Sequence, residues 1–541
     1  MNTAVLDTAH MGDIRGAFGT ISYNDIGPRT GLKHRLKTLL AILGPGLIVM
    51  VGDNDAGAFG TYTQAGQNYG TSLLWALALL IPVLYVNQEM VLRLGAVTGV
   101  GHARLILERF GKFWGAFSVI DLFILNALTI VTEFIGISLG LGFLGIPKFA
   151  GVLIASVLII LAAGTGDFRR FERFSLTLVA GTLLLVPVFV MVHPPIPQVL
   201  HDFLTPQMPK DAKLSDVMLL IIAIVGTTVA PWQLFFQQSY VIDKRITPRF
   251  IKYERLDLCL GIVLVVIGAA AMIAFTAEIF AGQPEFGNFT DAAGVAAGLA
   301  EHHSKLAGTL FALALIDASI IGAAAVSLST AYAIGDVLSL NHSLHRKPTE
   351  AKGFYAVYIA LIVVAAALVV IPGVPLGLLT NAVQTLAGVL LPSASVFLLL
   401  LCNDKQVLGP WVNDKVTNVF TAIVCGALVA LSLILTASVV FPDISGESIL
   451  MIFAGCGIAG LLLAVAMRYM REQKAAGSTL IADADSKGDP ASDESNWRMP
   501  PLDQLKPASF SATTRIWLGV LRAYLVIASL MVAYKVALLA F

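Results

Sequence analysis

Twelve times between residues 38 and 468 the sequence enters an apolar run close to the roughly 20 residues that a helix needs to cross a lipid bilayer, and each run is ended by charge, Gly or Pro. The runs lie near 38–66, 71–95, 114–143, 148–165, 174–193, 215–242, 256–281, 306–336, 353–372, 375–402, 416–441 and 447–468. The 541 residues would fill about three soluble domains, but 57% are hydrophobic and only 13% charged, with a mean hydropathy of +0.81. Soluble domains carry about 25% charged residues, so too few ionised groups remain to solvate a surface. These numbers describe an all-α polytopic membrane protein embedded in the lipid bilayer. Lys plus Arg balance Asp plus Glu at 35 each, so no net field draws the chain to nucleic acid. Four cysteines without close pairing indicate neither a disulfide framework nor a zinc site.

Basic residues near helix ends stay in the cytoplasm, and they are sorted here. With a cytoplasmic N-terminus, the inner segments hold Lys33, Arg35, Lys37, Arg104, Arg109, Arg169, Arg173, Lys244, Arg245, Arg249 and Arg346 among others, whereas the outer loops hold only Lys148, Lys210, Lys213 and Lys305. The implied organisation is a cytoplasmic segment 1–37, five helices over 38–193, an outer loop 194–214, five more helices over 215–402 and two over 403–471. An acidic, disordered cytoplasmic linker 472–512 follows, and 513–541 is expected to cross once more. The first 30 residues lack an apolar run and so no cleavable signal is expected. A multi-pass monomer of the cell (inner) membrane is the expected form.

Two of the runs cannot be whole helices. The first contains Gly52-Asp53-Asn54-Asp55-Ala56-Gly57-Ala58 at mid-membrane depth, where carboxylates are expensive unless water, a partner or a cation meets them. The sixth contains Gly226-Thr227-Thr228-Val229-Ala230-Pro231, where proline removes a backbone donor and frees carbonyls around Thr227. Pro231 alone would also be compatible with a kink that binds nothing. Gly57 and Pro231 mark the two breaks. They fall in the opening helices of two successive five-helix units, and an odd helix number makes the units inverted, the arrangement that places a transport site between broken helices. No Lys or Arg lies in the apolar interior of any of the twelve runs, so a bound cation is the simplest compensation for Asp53 and Asp55. Two carboxylates with hard carbonyl oxygens suit a metal dication.

Gly44-Pro45-Gly46, Asp55-Ala56-Gly57-Ala58-Phe59, Gln64-Ala65-Gly66 and Tyr69-Gly70-Thr71-Ser72-Leu73-Leu74-Trp75 together resemble the first two helices of the natural-resistance-associated macrophage protein (Nramp) family of divalent-metal transporters. Arg93-Leu94-Gly95, Thr98-Gly99, Glu133-Phe134-Ile135-Gly136, Gly226 to Pro231, and Gln384 eight residues before Pro392 extend the resemblance over about 38–440. It implies a leucine-transporter-type fold: two inverted five-helix repeats with broken helices 1 and 6, plus additional C-terminal helices. It also implies metal ligands at Asp55, at the Thr227 carbonyl and at Gln384; Asp53 joins them on the charge argument.

The departures from the family pattern carry the ion choice. The family's DPGN reads Asp55-Ala56-Gly57-Ala58, which loses the amide ligand at Ala58, and its MPH reads Ala230-Pro231-Trp232, which loses the thioether at Ala230. Without sulfur, which favours transition metals, a wider all-oxygen pocket suits a partly hydrated Mg2+, and the pattern resembles the Nramp-related magnesium branch. Ala58, Ala230, Trp232, Gln233 and Gln237 are expected to line the site. Glu133 stands as a remnant of the proton path, because the family's acid three residues earlier is Ile130 and its helix 6 histidine is Trp232. The reading is therefore a transporter of Mg2+ and Mn2+, with no cofactor and no enzymatic chemistry, driven by membrane potential without strong proton coupling. The alternatives are a proton-coupled Mn2+/Fe2+ importer of the Nramp type and a sodium-coupled amino-acid transporter, whose substrate carboxylate Asp53 and Asp55 would repel.

Overall fold

The computed structural model of the chain describes residues 6–209, 212–371, 392–441, 444–476 and 497–505, with scattered positions between 383 and 387 and between 508 and 530. Among them one hairpin is β-structure, β1 (Ile14–Gly16) antiparallel to β2 (Gly19–Ile21). The rest is built from helices. The first apolar run forms α1 (Leu32–Ile42), α2 (Pro45–Val51) and α3 (Ala56–Tyr69), and the second forms α4 (Leu74–Thr98). A short α5 (His102–Phe110) leads to α6 (Lys112–Phe143) and α7 (Lys148–Ala163). The fifth run is α8 (Phe168–Gly181) and α9 (Leu185–Val192), joined by the 3-10 turn Thr182–Leu184, before the short α10 (Ile196–Leu204). The sixth run divides into α11 (Leu214–Thr228) and α12 (Pro231–Asp243). Beyond it come α13 (Ile251–Phe280), α14 (Ala292–His302), α15 (Lys305–Leu338), α16 (Lys352–Val370), α17 (Pro392–Cys402), α18 (Lys405–Leu408), α19 (Lys415–Val440) and α20 (Gly446–Ala476).

Eight spans among the described residues are long and apolar enough to cross a membrane, and α1 with α2, bent by 51°, makes a ninth. The α7 and α17 helices and the Gly446–Leu462 part of α20 are shorter apolar helices at the remaining expected positions. Exposed Ile120, Leu153, Val263, Ile267 and Val363 give α6, α7, α13 and α16 an apolar outer face. Exposed apolar area on that scale needs a partner.

Contacts between connections distant in sequence gather the loops into two groups, one of them basic. At the basic end, Arg245 donates to the Ala9 carbonyl at 2.9 Å, Arg346 to Asp7 at 2.6 Å and Arg109 to Asp404 at 2.6 Å. At the other end Gln67 donates to the Glu285 carbonyl at 2.9 Å and Trp75 to the Gln207 carbonyl at 2.8 Å. Of the stretch expected as a disordered linker, 472–512, residues 472–476 continue α20 and 497–505 are described, while most of the rest lies outside the described residues. Met499 is buried and its N–H meets the Val97 carbonyl at 3.3 Å, while Trp497 covers Gly409. Apolar Trp497 and Met499 inside a polar segment supply the burial that the acidic residues cannot. Most of 513–541 lies outside the described residues; within it, the Arg522 guanidinium sits 3.5 Å from the centre of the Phe113 ring.

Helix α6 packs along α15, and α13 packs on both α2 and α3. The α2–α13 contact is close because glycine faces backbone on each side: a Cβ on Gly46 would lie 2.6 Å from the Leu258 backbone, and one on Gly261 would lie 2.6 Å from the Gly46 carbonyl oxygen. Asp257 of α13 fastens the same approach by accepting the Gly46 N–H at 2.7 Å. Small residues let membrane helices meet at this distance. Gly46→Val is expected to destabilise the protein by about 1–3 kcal/mol, as overpacked interiors do, which a thermal unfolding midpoint in detergent would register.

Candidate functional site

The first break runs from Gly52 to Asp55. The Gly52 N–H still meets the Ile48 carbonyl, but Asp53 and Asn54 fall back to i−3 contacts at 3.3 and 3.1 Å, and Asp55 adopts extended backbone. Its carboxylate then accepts the Ala58 N–H at 2.9 Å and caps α3. A helix N-terminus left bare in an apolar interior would strand donors, so Asp55 both starts α3 and keeps an anionic group at its positive end. This corrects the expected break: Gly57 is the second residue of α3, because the Asp55 cap lets the helix begin at Ala56.

The second break is Val229–Ala230, with Pro231 as the first residue of α12. Proline has no N–H for the Thr227 carbonyl, so that oxygen loses its i+4 donor. Next to it the Thr228 hydroxyl and the Tyr62 hydroxyl lie 2.7 Å apart, pinning α11 to α3.

The two breaks meet through Asp53. Gln233 of α12 donates a hydrogen bond to one Asp53 oxygen, and Gln88 of α4 donates at 2.9 Å to the Gln233 amide oxygen. The other Asp53 oxygen is buried and has no partner among the described residues. Glu133 of α6 accepts the Ala56 N–H at 3.1 Å and lies beside Asp55, leaving its second oxygen without a partner. Among the described residues the charged groups acting on these carboxyls are one another, with no cationic side chain among them. Asn54 turns away, donating to the Val265 carbonyl at 3.1 Å.

Trp232 packs its ring 3.6 Å from where a Gly52 Cβ would lie, which makes it a wall of the first break. Ala58 and Ala230 are buried next to their respective breaks. Gln237 lies one turn below Gln233, fully buried, with both polar atoms unpartnered. Gln384 lies outside the described residues. Two participants were not anticipated. Gln88 carried a signal, the polar Asn87-Gln88-Glu89 inside an apolar run; Tyr62 carried none. A narrow cavity touching Pro231 and Phe235 is also lined by Asp121, Ser118 and Ser393. Among the described residues no three His, Cys, Asp or Glu side chains form a ready cage for a metal. A cation at the breaks would therefore rest on two carboxylates, backbone and amide oxygens, and water.

Residues 46–438 match the model of the natural resistance-associated macrophage protein-like family. The chain belongs to the Nramp family. A divalent metal cation transporter MntH from Ralstonia nicotianae is 29% identical over 398 residues, covering 71% of this chain and 87% of that protein. MntH from Lacticaseibacillus casei is 26% identical over 419 residues, 74% of this chain and 90% of its own length. Among solved structures, the Eremococcus coleocola manganese transporter, in complex with an aromatic bis-isothiourea substituted compound, superposes with a TM-score of 0.61 at 20% identity, over 82% of this chain and 97% of that one. The Nramp fold, of the leucine-transporter type, is thus present, and residues 6–45 precede the matched region.

Because Asp55 contributes one cap to a helix that Glu133 also caps, Asp55→Ala is expected to fold, losing about 1 kcal/mol as N-cap removals do. A monodisperse peak in detergent with a thermal midpoint lowered by a few degrees would bear this out; aggregation would assign the carboxylate mainly to architecture.

Proposed function

We propose that this Nramp protein carries divalent metal cations, Mg2+ and also Mn2+, into the cell as partly hydrated ions, driven by membrane potential without strong proton coupling. The observation that carries the reading is the pair Asp53 and Asp55 at a helix break, buried, without a cationic partner and with one Asp53 oxygen unclaimed. Buried carboxylates keep their charge when a cation pairs with them. Asp55, Asp53, the Thr227 carbonyl and Gln384 would hold the ion, with Gln233 holding Asp53 in place and Gln88 holding Gln233. Relatives named as divalent metal cation transporters and a fold neighbour named as a manganese transporter support the dication. They also speak against the amino-acid transporter.

Mg2+ is supported by what the site lacks. Ala58 and Ala230 stand where the family pattern has an amide and a thioether, so protein ligands are few and hard, and Mg2+ keeps several waters. The bilayer potential gives a dication about 4.6 kcal/mol at 100 mV, enough to drive uptake. The basic end, with the N-terminal segment, would face the cytoplasm, and the site sits within a single chain, so a monomer in the cell membrane suffices. A second reading, a proton-coupled Mn2+ importer, is favoured by one contact: Glu133 lies directly against Asp55, where a proton could pass between them. Ile130 and Trp232 leave that pair without onward titratable neighbours from the family's path.

Three outcomes follow. Asp55→Ala in proteoliposomes should abolish divalent influx; normal influx would remove Asp55 from the site. Influx into vesicles should track membrane potential with no ion-dependent acidification inside, and stoichiometric proton entry would decide for the second reading. Millimolar Mg2+ should be transported and should inhibit Mn2+ uptake, while Ala230→Met with Ala58→Asn should lower Mg2+ flux relative to Mn2+. Wild-type protein that moves Mn2+ but neither carries nor is inhibited by Mg2+ would refute the ion assignment.

A further inference from the structure

Residues 6–27 precede the part of the chain that the family shares, yet they are tied into the basic end by a dense set of bonds. Gly16 of β1 presses on Ala41 of α1 so closely that an added Cβ would lie 1.9 Å from the Ala41 carbonyl oxygen. The next N–H, of Ala17, donates to one Glu172 oxygen at 2.5 Å, and Arg173 donates back to the Ala17 carbonyl at 3.0 Å. Arg245 holds the Ala9 and Asp13 carbonyls at 2.9 and 3.0 Å, and Arg249 holds the Asp25 carbonyl at 2.6 Å. Asp7 accepts from Arg346 at 2.6 Å and from the His342 N–H at 2.9 Å.

The segment therefore joins two groups of elements. On one side are α1 and α2, which lead into the first break, and the end of α12, which leaves the second. On the other are α8 and the Ser339–Ala351 connection that follows α15. At their junction Lys244 donates to the second Glu172 oxygen at 2.6 Å and to the Ile42 and Leu43 carbonyls at 2.5 and 2.9 Å, with both charged side chains fully buried. A buried ion pair is tolerated only while its hydrogen bonds are complete. Three partners use all three Lys244 protons, and the Ala17 N–H supplies the last donor to Glu172. Lifting the hairpin removes that donor and opens the pair to water. Glu254 and Asp257, fully buried next to the same Lys, have oxygens without partners, so the region is short of donors before any is taken away.

We propose that residues 6–27 are a strap that holds the basic end of the transporter shut, and that its release from Ala41, Glu172 and Arg346 is the step that opens the site to that side. The inference rests on the transport reading for its consequence, though not for its geometry. The Asp7–Arg346 contact of the strap holds across ordinary pH. Burial would raise the Asp7 carboxyl, but the Arg346 hydrogen bonds and the Ala9 and His342 N–H groups outweigh it and hold it at about 2. Its contribution is thus present above the ordinary carboxylate range and is lost only as pH falls toward 2.

The test uses the full chain in liposomes, with Cys259, Cys402, Cys425 and Cys456 replaced by Ala and a single reporter at Ser239→Cys. Ser239 lies on α12, is 5% exposed and donates to Asp336 of α15 at 3.5 Å. A membrane-impermeant maleimide is applied from the basic end. Gly16→Val, which cannot dock on Ala41, and Asp7→Ala, which frees Arg346, are both expected to speed labelling at least tenfold. In the same variants the apparent KM for external Mn2+ should rise at least fivefold, because fewer molecules present the site outward. A purely structural role would lower the amount of folded protein and leave labelling and KM unchanged. Unaltered labelling in both variants would overturn the strap, and so would faster labelling of Gly16→Val that comes with a proportional loss of folded protein and no such change in Asp7→Ala. Faster labelling in a protein that carries no Mn2+ or Mg2+ in any variant would leave the strap standing and refute the transport reading instead.

Discussion

Anionic charge placed where a bilayer offers no water is the constraint around which this molecule is arranged. Asp53, Asp55 and Glu133 gather at one unwound turn, and what surrounds them are donors with a second duty: the first N–H groups of α3, the Gln233 amide, and Gln88 behind it. Each donor satisfies one lone pair and leaves another. Helix α3 can start only where Asp55 caps it, and α12 can start only where Pro231 needs no donor, so the same backbone disruption that exposes carbonyls also fixes where the carboxylates point. Packing then follows, with α13 drawn against α2 at glycine distance and α6 held against α15 beside Glu133.

How much of this could be read from residue order depends on how local the cause is. Asp53 and Asp55 announce themselves because charge inside an apolar run has no bland explanation, and Pro231 does so because its missing N–H acts within four residues. The position of the first break was harder. A run with glycine at 52, 57 and 60 permits unwinding anywhere along it, and only the capping geometry of Asp55 selects Gly52–Asp55. Gln88 reads as the polar end of a span until its partner across the bundle is known. The docking of the N-terminal segment was beyond reach altogether, since Asp7 meets Arg346 across 339 positions of sequence. The arginines that receive it, including Arg173 and Arg245, read simply as the positive charge that sets topology. They do that and also hold backbone carbonyls, a role that net charge cannot reveal.

The two alanines deserve comparison with what the family pattern has in their places. A thioether and an amide would narrow the site and contribute preorganised ligands; methyl groups contribute neither, and both are buried. On the proposed reading, selectivity there would come from the cost of stripping water rather than from ligand softness, in favour of an ion that keeps its hydration shell. Trp232, stacked against Gly52, bounds that space on the side where a titratable ring would otherwise have stood.

Helix α7 adds a different dependence. Its 16 residues rise about 24 Å, short of the roughly 30 Å hydrocarbon layer, and its outward side chains Leu153, Ile154, Val157, Leu158 and Leu161 are exposed. Lipid must thin around it or the helix must recess, at fractions of a kcal/mol per Å of mismatch. Because α7 packs on α6, which carries Glu133, and on α8, which carries Glu172, a bilayer thicker than this helix would strain the two helices that hold a central carboxylate and one half of the buried ion pair, and acyl-chain length would then act on them mechanically.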